Sequence, residues 1–367
     1  MNGKWLMVNR KKQFFHLPFT IHHLPSYHSS LITYHSPILS PRRRPGRRIL
    51  KALLPVALLL VLALIVAVGW LAYCVAHPHR GSYLLTPENF SQLSNRGLKA
   101  TDETWDNLDG TKARGWLLRG SEGAPAVILL HHYGADRSWL LNMGVKLNET
   151  TNFTVLWPDL RGHGMNPPVA KSSLGAREAD DVAAAVAYLR SLKTQAGRPL
   201  VGGEIGLYGA ELGAYAALVG AAQESSVRAL ALDSVPASGD DMLRVAVKKC
   251  AGMDNNFALW LARIGTRIYF LGLKTGNTQS CQVAAQLGNR RVLLLSGEGA
   301  GRLRASTAAL AQCFPTQASV EVKTDLPLTG LNLPTATGEQ GEAYDRPVID
   351  FFDRALNSNP QSPPQNP

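Results

Sequence analysis

Four side chains that could perform acid–base or metal chemistry follow two apolar runs of the sequence. His131 and His132 come directly after AVILL, and Asp159 and His163 come shortly after FTVLW. Imidazole and carboxylate groups are common general acids and bases, and both are common ligands of zinc. If the two runs are parallel strands, these side chains share the carboxyl edge of one sheet, where α/β proteins bind ligands. They are therefore candidate pocket residues.

The body of the chain alternates short apolar runs with longer helical patterns. The predicted strands are Glu103–Leu108, Ala113–Arg119, Ala126–Leu130, Phe153–Trp157, Ile205–Tyr208, Val227–Leu232, Arg291–Leu295 and Ser319–Val322. The predicted helices are Ser138–Leu147, Ala176–Thr194, Glu211–Gln223, Gly239–Lys249, Leu303–Gln312 and Glu339–Leu356. An Asp109-Gly110 pair predicts a hairpin turn between the first two strands. The alternation predicts an α/β fold with a mostly parallel sheet, helices on both faces and a leading antiparallel hairpin.

Three stretches resemble the α/β-hydrolase superfamily, in particular its bacterial serine-aminopeptidase-like and thioesterase-like branches. Residues 127–137 (VILLHHYGADR) resemble the strand and oxyanion loop usually written HGxGGDR, and residues 155–164 (VLWPDLRGHG) resemble the PDxRGHG segment. Residues 206–213 (GLYGAELG) lie where the nucleophile elbow G-x-S-x-G belongs. The resemblance covers about residues 100–356. It implies the fold of that family more strongly than its activity.

The resemblance also implies a catalytic triad, and all three of its positions differ here. Glu211 stands where the family has Ser, or Cys or Asp in some branches. No histidine follows His163, so the family's general base has no counterpart before the final helix. The place of the acid reads SGEGAG, where Glu298 is the available substitute. We therefore expect hydrolysis by the family's usual route to be lost.

The oxyanion hole of the family depends on backbone N–H groups, which here would belong to Tyr133 and Leu212. His132 replaces a glycine of the family pattern in the same loop. A carboxylate at Glu211 would also repel a developing oxyanion. These changes weigh further against acyl transfer.

We expect no metal and no cofactor. In the family, the equivalents of His131 and His163 are ordinary loop residues that pack and hydrogen-bond. The segment Gly297–Gly301 follows a predicted strand but lacks the full G-x-G-x-x-G of a dinucleotide site.

The charge of the chain is concentrated before its longest apolar segment. Residues 1–76 hold 10 Lys and Arg and no acid, whereas residues 77–367 hold 28 Lys and Arg against 27 acids, which excludes an obvious nucleic-acid binder. Ala52–Val75 contains no charged residue and is long enough to cross a bilayer. Basic residues precede it, so the positive-inside rule predicts a single-pass signal anchor in the cell membrane, with a cytoplasmic N-terminus and an extracytoplasmic domain. A cleaved signal peptide is the alternative.

These observations predict four segments: a disordered, basic, His-rich tail (1–48), a transmembrane helix (49–76), a hydrolase-like domain (81–356) and a disordered tail (357–367). Residues 240–287 exceed a simple crossover and could form a helical cap. Three cysteines in the domain permit one bridge, for which Cys250–Cys281 is the expected pair.

The leading functional hypothesis is a membrane-anchored pseudoenzyme that binds a small-molecule ligand or a protein partner. The alternative is an active ester, thioester or peptide hydrolase in which Glu211 works with a histidine of the 131–163 loops; this requires an imidazole within about 3.2 Å of Glu211 or one water away. A third hypothesis makes the domain an extracytoplasmic scaffold, whose pocket is filled by side chains from residues 240–287.

Overall fold

The structure, a computed structural model, describes residues 46–93, 99–271 and 278–357. The predicted tails, 1–48 and 357–367, lie almost entirely outside the described residues. The chain divides into two compact units, Met1–Val56 and Ala57–Pro367, and every contact described below lies within the second.

Eight strands form one mixed sheet. They are β1 (Thr101–Asp106), β2 (Lys112–Leu118), β3 (Ala124–Leu130), β4 (Thr154–Pro158), β5 (Val201–Ala210), β6 (Val227–Asp233), β7 (Arg291–Gly297) and β8 (Val320–Leu326). Their order is β1-β2-β4-β3-β5-β6-β7-β8. β2 pairs antiparallel with β1 and β4, and all other neighbours are parallel. The predicted parallel sheet with its leading hairpin is therefore confirmed.

The described part of the chain contains ten α-helices, which include those on both faces of this sheet. They are α1 (Gly46–Ala76), α2 (Pro87–Leu93), α3 (Leu141–Thr151), α4 (Glu178–Ser191), α5 (Leu212–Gln223), α6 (Gly239–Ala251), α7 (Asn256–Tyr269), α8 (Ser280–Ala284), α9 (Leu303–Leu310) and α10 (Gly338–Leu356). Residues of α4–α8 share one buried cluster, and those of α3 and α10 share the other. The inner strands are buried on both sides, which explains why they appear in the sequence as continuous apolar runs rather than alternating ones.

Helix α1 is the one helix in the described part of the chain that is long and apolar enough to cross a membrane, from Lys51 to Ala76. Its last two turns belong to the core of the domain, because Leu71 and Val75 are buried in the cluster shared by α4–α8. The carbonyl of Val75 accepts a hydrogen bond from the Tyr133 hydroxyl at 2.9 Å, and that of Ala76 accepts one from the Ser172 N–H at 2.8 Å. The helix and the domain are thus continuous.

Two disulfides are present, Cys74–Cys250 and Cys281–Cys313. The predicted Cys250–Cys281 pair is wrong. The prediction assigned Cys74 to the membrane and so removed it from pairing, but the packed end of α1 brings Cys74 to the last turn of α6.

Residues 240–287 contain α6, α7 and α8, with 272–277 outside the described residues. Helix α8 packs on α5, and α6 packs on α7. Lys249, near the end of α6, reaches the turn between β5 and α5. This turn carries Glu211 and is the candidate functional site.

Candidate functional site

Glu211 occupies a sharp turn between β5 and α5. Its backbone has φ 51° and ψ −103°, a conformation that non-glycine residues rarely adopt. Two hydrogen bonds fix it: the Glu211 N–H donates to the Asp233 carbonyl at 3.0 Å, and its carbonyl accepts from the Tyr215 N–H at 2.9 Å. A side chain on Gly209 would overlap the backbone of Gly213, so this turn requires glycine. Local strain held by surrounding structure is typical of functional turns.

The Glu211 side chain is buried, although an elbow normally presents its side chain to substrate. The residue is only 2% exposed. Its Oε1 accepts a hydrogen bond from the Tyr133 N–H at 3.2 Å and another from Lys249 Nζ at 2.9 Å. The Tyr133 N–H is the predicted oxyanion donor, and here it is occupied by the protein's own carboxylate.

Lys249 joins the two sides of the site. Besides Glu211, its Nζ lies 2.7 Å from the Tyr133 carbonyl oxygen and 3.1 Å from His132 Nδ1. One ammonium therefore links the elbow to the oxyanion loop. Burial raises the pKa of Glu211, and the charge of Lys249, with its hydrogen bond, offsets only part of that effect.

The predicted histidines surround this pair without bonding to Glu211. His131 Nε2 accepts from the Leu160 N–H at 3.1 Å, so its Nδ1 carries the proton that is donated to the His132 carbonyl at 2.8 Å. His163 Nδ1 lies 2.9 Å from the Arg161 carbonyl oxygen. The bond from Leu160 joins the loops after β3 and β4, and the other two lie within a loop, so the role of both rings is structural.

His132 faces the ammonium of Lys249. Nδ1 of His132 lies 3.1 Å from Lys249 Nζ and 2.9 Å from the carbonyl oxygen of Tyr133, which Lys249 also contacts. Burial lowers the pKa of both His132 and His163, so both rings are neutral at pH 7. In the described part of the chain, the polar partners of the Glu211 carboxylate are Lys249 and the Tyr133 N–H.

Asp159 and Glu298 are not brought to the elbow. Asp159 accepts from the Tyr83 hydroxyl at 2.7 Å and the Arg137 N–H at 3.0 Å, and it also lies beside the guanidinium of Arg114. Glu298 is exposed, and its backbone N–H bonds to the carbonyl of Leu326. In the described residues, no three His, Cys, Asp or Glu side chains lie close enough together to hold a metal.

A second buried carboxyl, Asp233, lies at the end of β6. It accepts from the Ser234 hydroxyl at 2.6 Å, the Gly330 N–H at 2.7 Å and the Tyr344 hydroxyl. Gly330 belongs to the loop before α10, where the family resemblance places the catalytic histidine. Backbone and tyrosine thus satisfy this acid in the absence of an imidazole, and burial raises its pKa to about 6.

Lys249 is not among the residues that the sequence identifies as candidates. The signal available was the pair Lys248-Lys249 near the end of a predicted amphipathic helix, together with the physical rule that a buried carboxylate needs a cation or several donors. Nothing in the spacing of the residues identifies which cation is used.

No protein-family model matches the sequence, and no curated protein matches it either. Solved structures do match. The esterase Pf2001 of Pyrococcus furiosus is similar with a TM-score of 0.57 and 17% identity, over 77% of this chain and 98% of that chain. An acylaminoacyl peptidase of Pyrococcus horikoshii is similar with a TM-score of 0.53 and 13% identity, over 77% of this chain and 46% of that chain.

The α/β hydrolase GrgF from Penicillium sp. sh18 is similar with a TM-score of 0.50 and 18% identity, over 71% of this chain and 99% of that chain. Likeness at these identities establishes architecture, and activity does not follow from it. The sharp strand-to-helix turn at Glu211 agrees with that architecture. The chain has the α/β-hydrolase fold.

Proposed function

We propose that this chain is a membrane-anchored α/β-hydrolase-fold protein that has lost catalysis and acts by binding a ligand or a protein partner. The observation that carries the proposal is the pairing of Glu211 with Lys249 and with the Tyr133 N–H. The Glu211 carboxylate stands at the nucleophile's position and the Tyr133 N–H at that of an oxyanion donor, and a hydrolase needs both groups free.

Acyl transfer requires a nucleophile, a base that takes its proton and donors for the oxyanion. The Glu211 carboxylate is held by a cation, which lowers its nucleophilicity, and the histidines near it make backbone bonds instead of reaching it. The Tyr133 donor is occupied. The alternative of an active hydrolase with Glu211 and a nearby histidine gains no support from these contacts.

Lys249 comes from the segment that the scaffold hypothesis expects to fill the pocket. We therefore place binding on the surface of the domain rather than at the elbow. Anchoring by α1 is supported by its length and composition, and the basic residues before it favour a cytoplasmic N-terminus. Two disulfides fit an extracytoplasmic, oxidising compartment.

The test is ester hydrolysis by the full chain in detergent micelles, using short and medium p-nitrophenyl esters. We expect no turnover above a blank of the same micelles. Glu211→Gln removes the charge while keeping the size of the side chain. Glu204→Gln is the matched control, because Glu204 lies half-exposed towards the other end of β5, paired with Arg228.

Turnover that is lost in Glu211→Gln and kept in Glu204→Gln would overturn the proposal and make Glu211 catalytic. Turnover that first appears in Lys249→Met would also contradict it, because the carboxylate would then be competent once released. Mapping of both disulfides in each sample verifies that the protein assayed is folded.

A further inference from the structure

Helix α7 presents an apolar stripe to the outside of the domain. Its inner face is buried and includes Ala258, Leu259, Leu261, Ala262, Gly265 and Thr266. On the opposite side, large apolar residues recur every three or four positions, at Phe257, Trp260, Ile264, Ile268 and Leu271. Phe257 is 65% exposed and Leu271, just beyond the helix, is 86% exposed. Ile264, in the middle of the stripe, is half-buried, and the other four residues are exposed; an exposed apolar face of this kind marks an interaction surface.

The position of α7 is fixed against the end of α1. A side chain on Gly265 would lie 2.7 Å from the Val68 carbonyl oxygen and 3.0 Å from Cβ of Ala72, so the two helices approach backbone to backbone. The Cys74–Cys250 disulfide ties α1 to α6, which packs on α7. Helix α7 therefore lies beside residues 68–72 of α1.

The length of α1 determines how deep in the bilayer its contact with α7 lies. The apolar segment Lys51–Ala76 has 26 residues, whereas a hydrocarbon layer of about 30 Å needs about 20 helical residues. A span that begins at Ala52 leaves the hydrocarbon near Leu71. The contact of α7 with Val68 and Ala72 is thus at the boundary between hydrocarbon and headgroups.

Aromatic side chains, which membrane boundaries favour, are exposed on both helices. Trp70 and Tyr73 are exposed on α1, and Phe257 and Trp260 are exposed on α7. Arg267 borders the apolar stripe and is also exposed. Aromatic and aliphatic side chains edged by arginine are typical of helices that lie in the plane of a membrane surface.

We infer that α7 lies in the headgroup boundary of the bilayer that α1 crosses, with its apolar stripe inserted among the lipids. The inference rests on the proposed anchoring by α1. In this arrangement two helices, α1 and α7, hold the domain against the membrane, instead of α1 alone. Lipid is the expected partner of this face because α7 packs directly against α1, the proposed membrane anchor.

The test uses the full chain in lipid nanodiscs, with one added cysteine carrying a nitroxide and the native disulfides left oxidised. Test positions are Ile268→Cys and Leu271→Cys, both exposed, so the fold tolerates the label. Leu60→Cys reports on α1 itself. Arg198→Cys is the aqueous control, because it lies exposed before β5, at the end of the sheet opposite Glu211.

The measured quantity is the ratio of label collisions with oxygen to label collisions with a water-soluble nickel complex. We expect this ratio to be several-fold higher at 268 and 271 than at 198, and to approach the ratio at 60. Labels at 268 and 271 that behave like 198, while 60 is in lipid, overturn the inference and leave the anchor intact. An aqueous label at 60 overturns the proposed anchoring and this inference with it. Strong dipolar broadening between two labels at 268 would show a second copy on this face, which also contradicts it.

Discussion

Nζ of Lys249 lies 2.9 Å from Oε1 of Glu211, a residue 38 positions earlier in the chain, and 2.7 Å from the carbonyl oxygen of Tyr133. A group that bonds both the elbow and the oxyanion loop holds them at one separation. The arrangement is that of a structural clamp at the place where related folds keep a reactive centre open.

Removing the ammonium should destabilise the protein. Lys249→Met leaves a buried carboxylate without its cation, and we expect a loss of about 2 kcal/mol in the free energy of unfolding, less than for a fully buried pair because the Lys249 side chain is 36% exposed. Chemical denaturation of the full chain in micelles measures it. Lys248→Met, at an exposed neighbour, should change stability by no more than about 0.5 kcal/mol. Equal losses in the two variants would contradict the clamp.

The clamp also predicts asymmetry between its partners. In Glu211→Gln the freed Lys249 can turn to solvent, so this variant should lose less stability than Lys249→Met. The double variant Glu211→Gln/Lys249→Met should recover about 1 kcal/mol or more relative to Lys249→Met, because no unpaired charge remains buried. Strictly additive losses would show that the two side chains do not act together.

Asp233 should make stability depend on pH. Burial raises its pKa to about 6 from the ordinary 3.8, so the folded protein holds this proton more tightly than the unfolded chain. Its stabilising contribution is complete below the unfolded pKa and is lost as the pH rises through about 6. Between pH 4 and 7 the stability of Asp233→Asn relative to the natural chain should therefore rise by about 2 kcal/mol.

The variant must be compared with the natural chain, because the buried histidines change the free energy of unfolding with pH in the opposite direction. Their lowered pKa values favour stability at higher pH. These contributions cancel in the difference between two unfolding curves. Asp350→Asn, at an exposed carboxyl of α10, is the control for the loss of one carboxyl group. A flat difference for Asp233→Asn would refute the assignment.

The contact between α1 and α7 can be tested at two glycines. Gly265→Ala forces its new Cβ against the Val68 carbonyl and should destabilise the protein by about 1–2 kcal/mol even after the gain in helix propensity. Gly69→Ala meets nothing within 4 Å and should be neutral or stabilising by up to about 1 kcal/mol. Thermal unfolding in micelles distinguishes them. A stabilised Gly265→Ala variant would show that the helices are further apart.

Disulfide connectivity gives a direct chemical check. Digestion without reductant should release Cys74 linked to Cys250 and Cys281 linked to Cys313. The first bridge closes 176 positions and the second 32, so Cys74→Ser/Cys250→Ser should cost more stability than Cys281→Ser/Cys313→Ser. A peptide that links Cys250 to Cys281 would contradict the structure.

Much of the fold was predictable because its signals are local. Buried parallel strands appear as continuous apolar runs, and the glycines around Glu211 mark a turn that other residues cannot make. The site was predictable only in part. Glu211 and Tyr133 follow from position along strands, but Lys249 acts through the packing of α6 over the sheet, which no local pattern encodes.

The same limit explains the cysteine error. Composition assigns the whole of Ala52–Val75 to a membrane, yet the last two turns of that helix bury Leu71 and Val75 in the domain core. A hydrophobic residue that faces lipid and one that faces a protein core are identical in sequence. Only tertiary contacts distinguish the two, and only tertiary contacts identify the partner of Cys250.

The joined end of α1 alters what proteolysis can do to this protein. Residues 79–82 are exposed and lie shortly after the end of the helix at Ala76. The bond after Arg80 is therefore open to a trypsin-like protease once the Arg80 side chain leaves the carbonyls of Gly162 and Ala170. The cut would not shed the domain, because Cys74 remains covalently bound to Cys250 and the last turns of α1 remain packed in the core. With α1 as the proposed anchor, release of the domain requires reduction of Cys74–Cys250 and unpacking of α1 from the core as well as the cut.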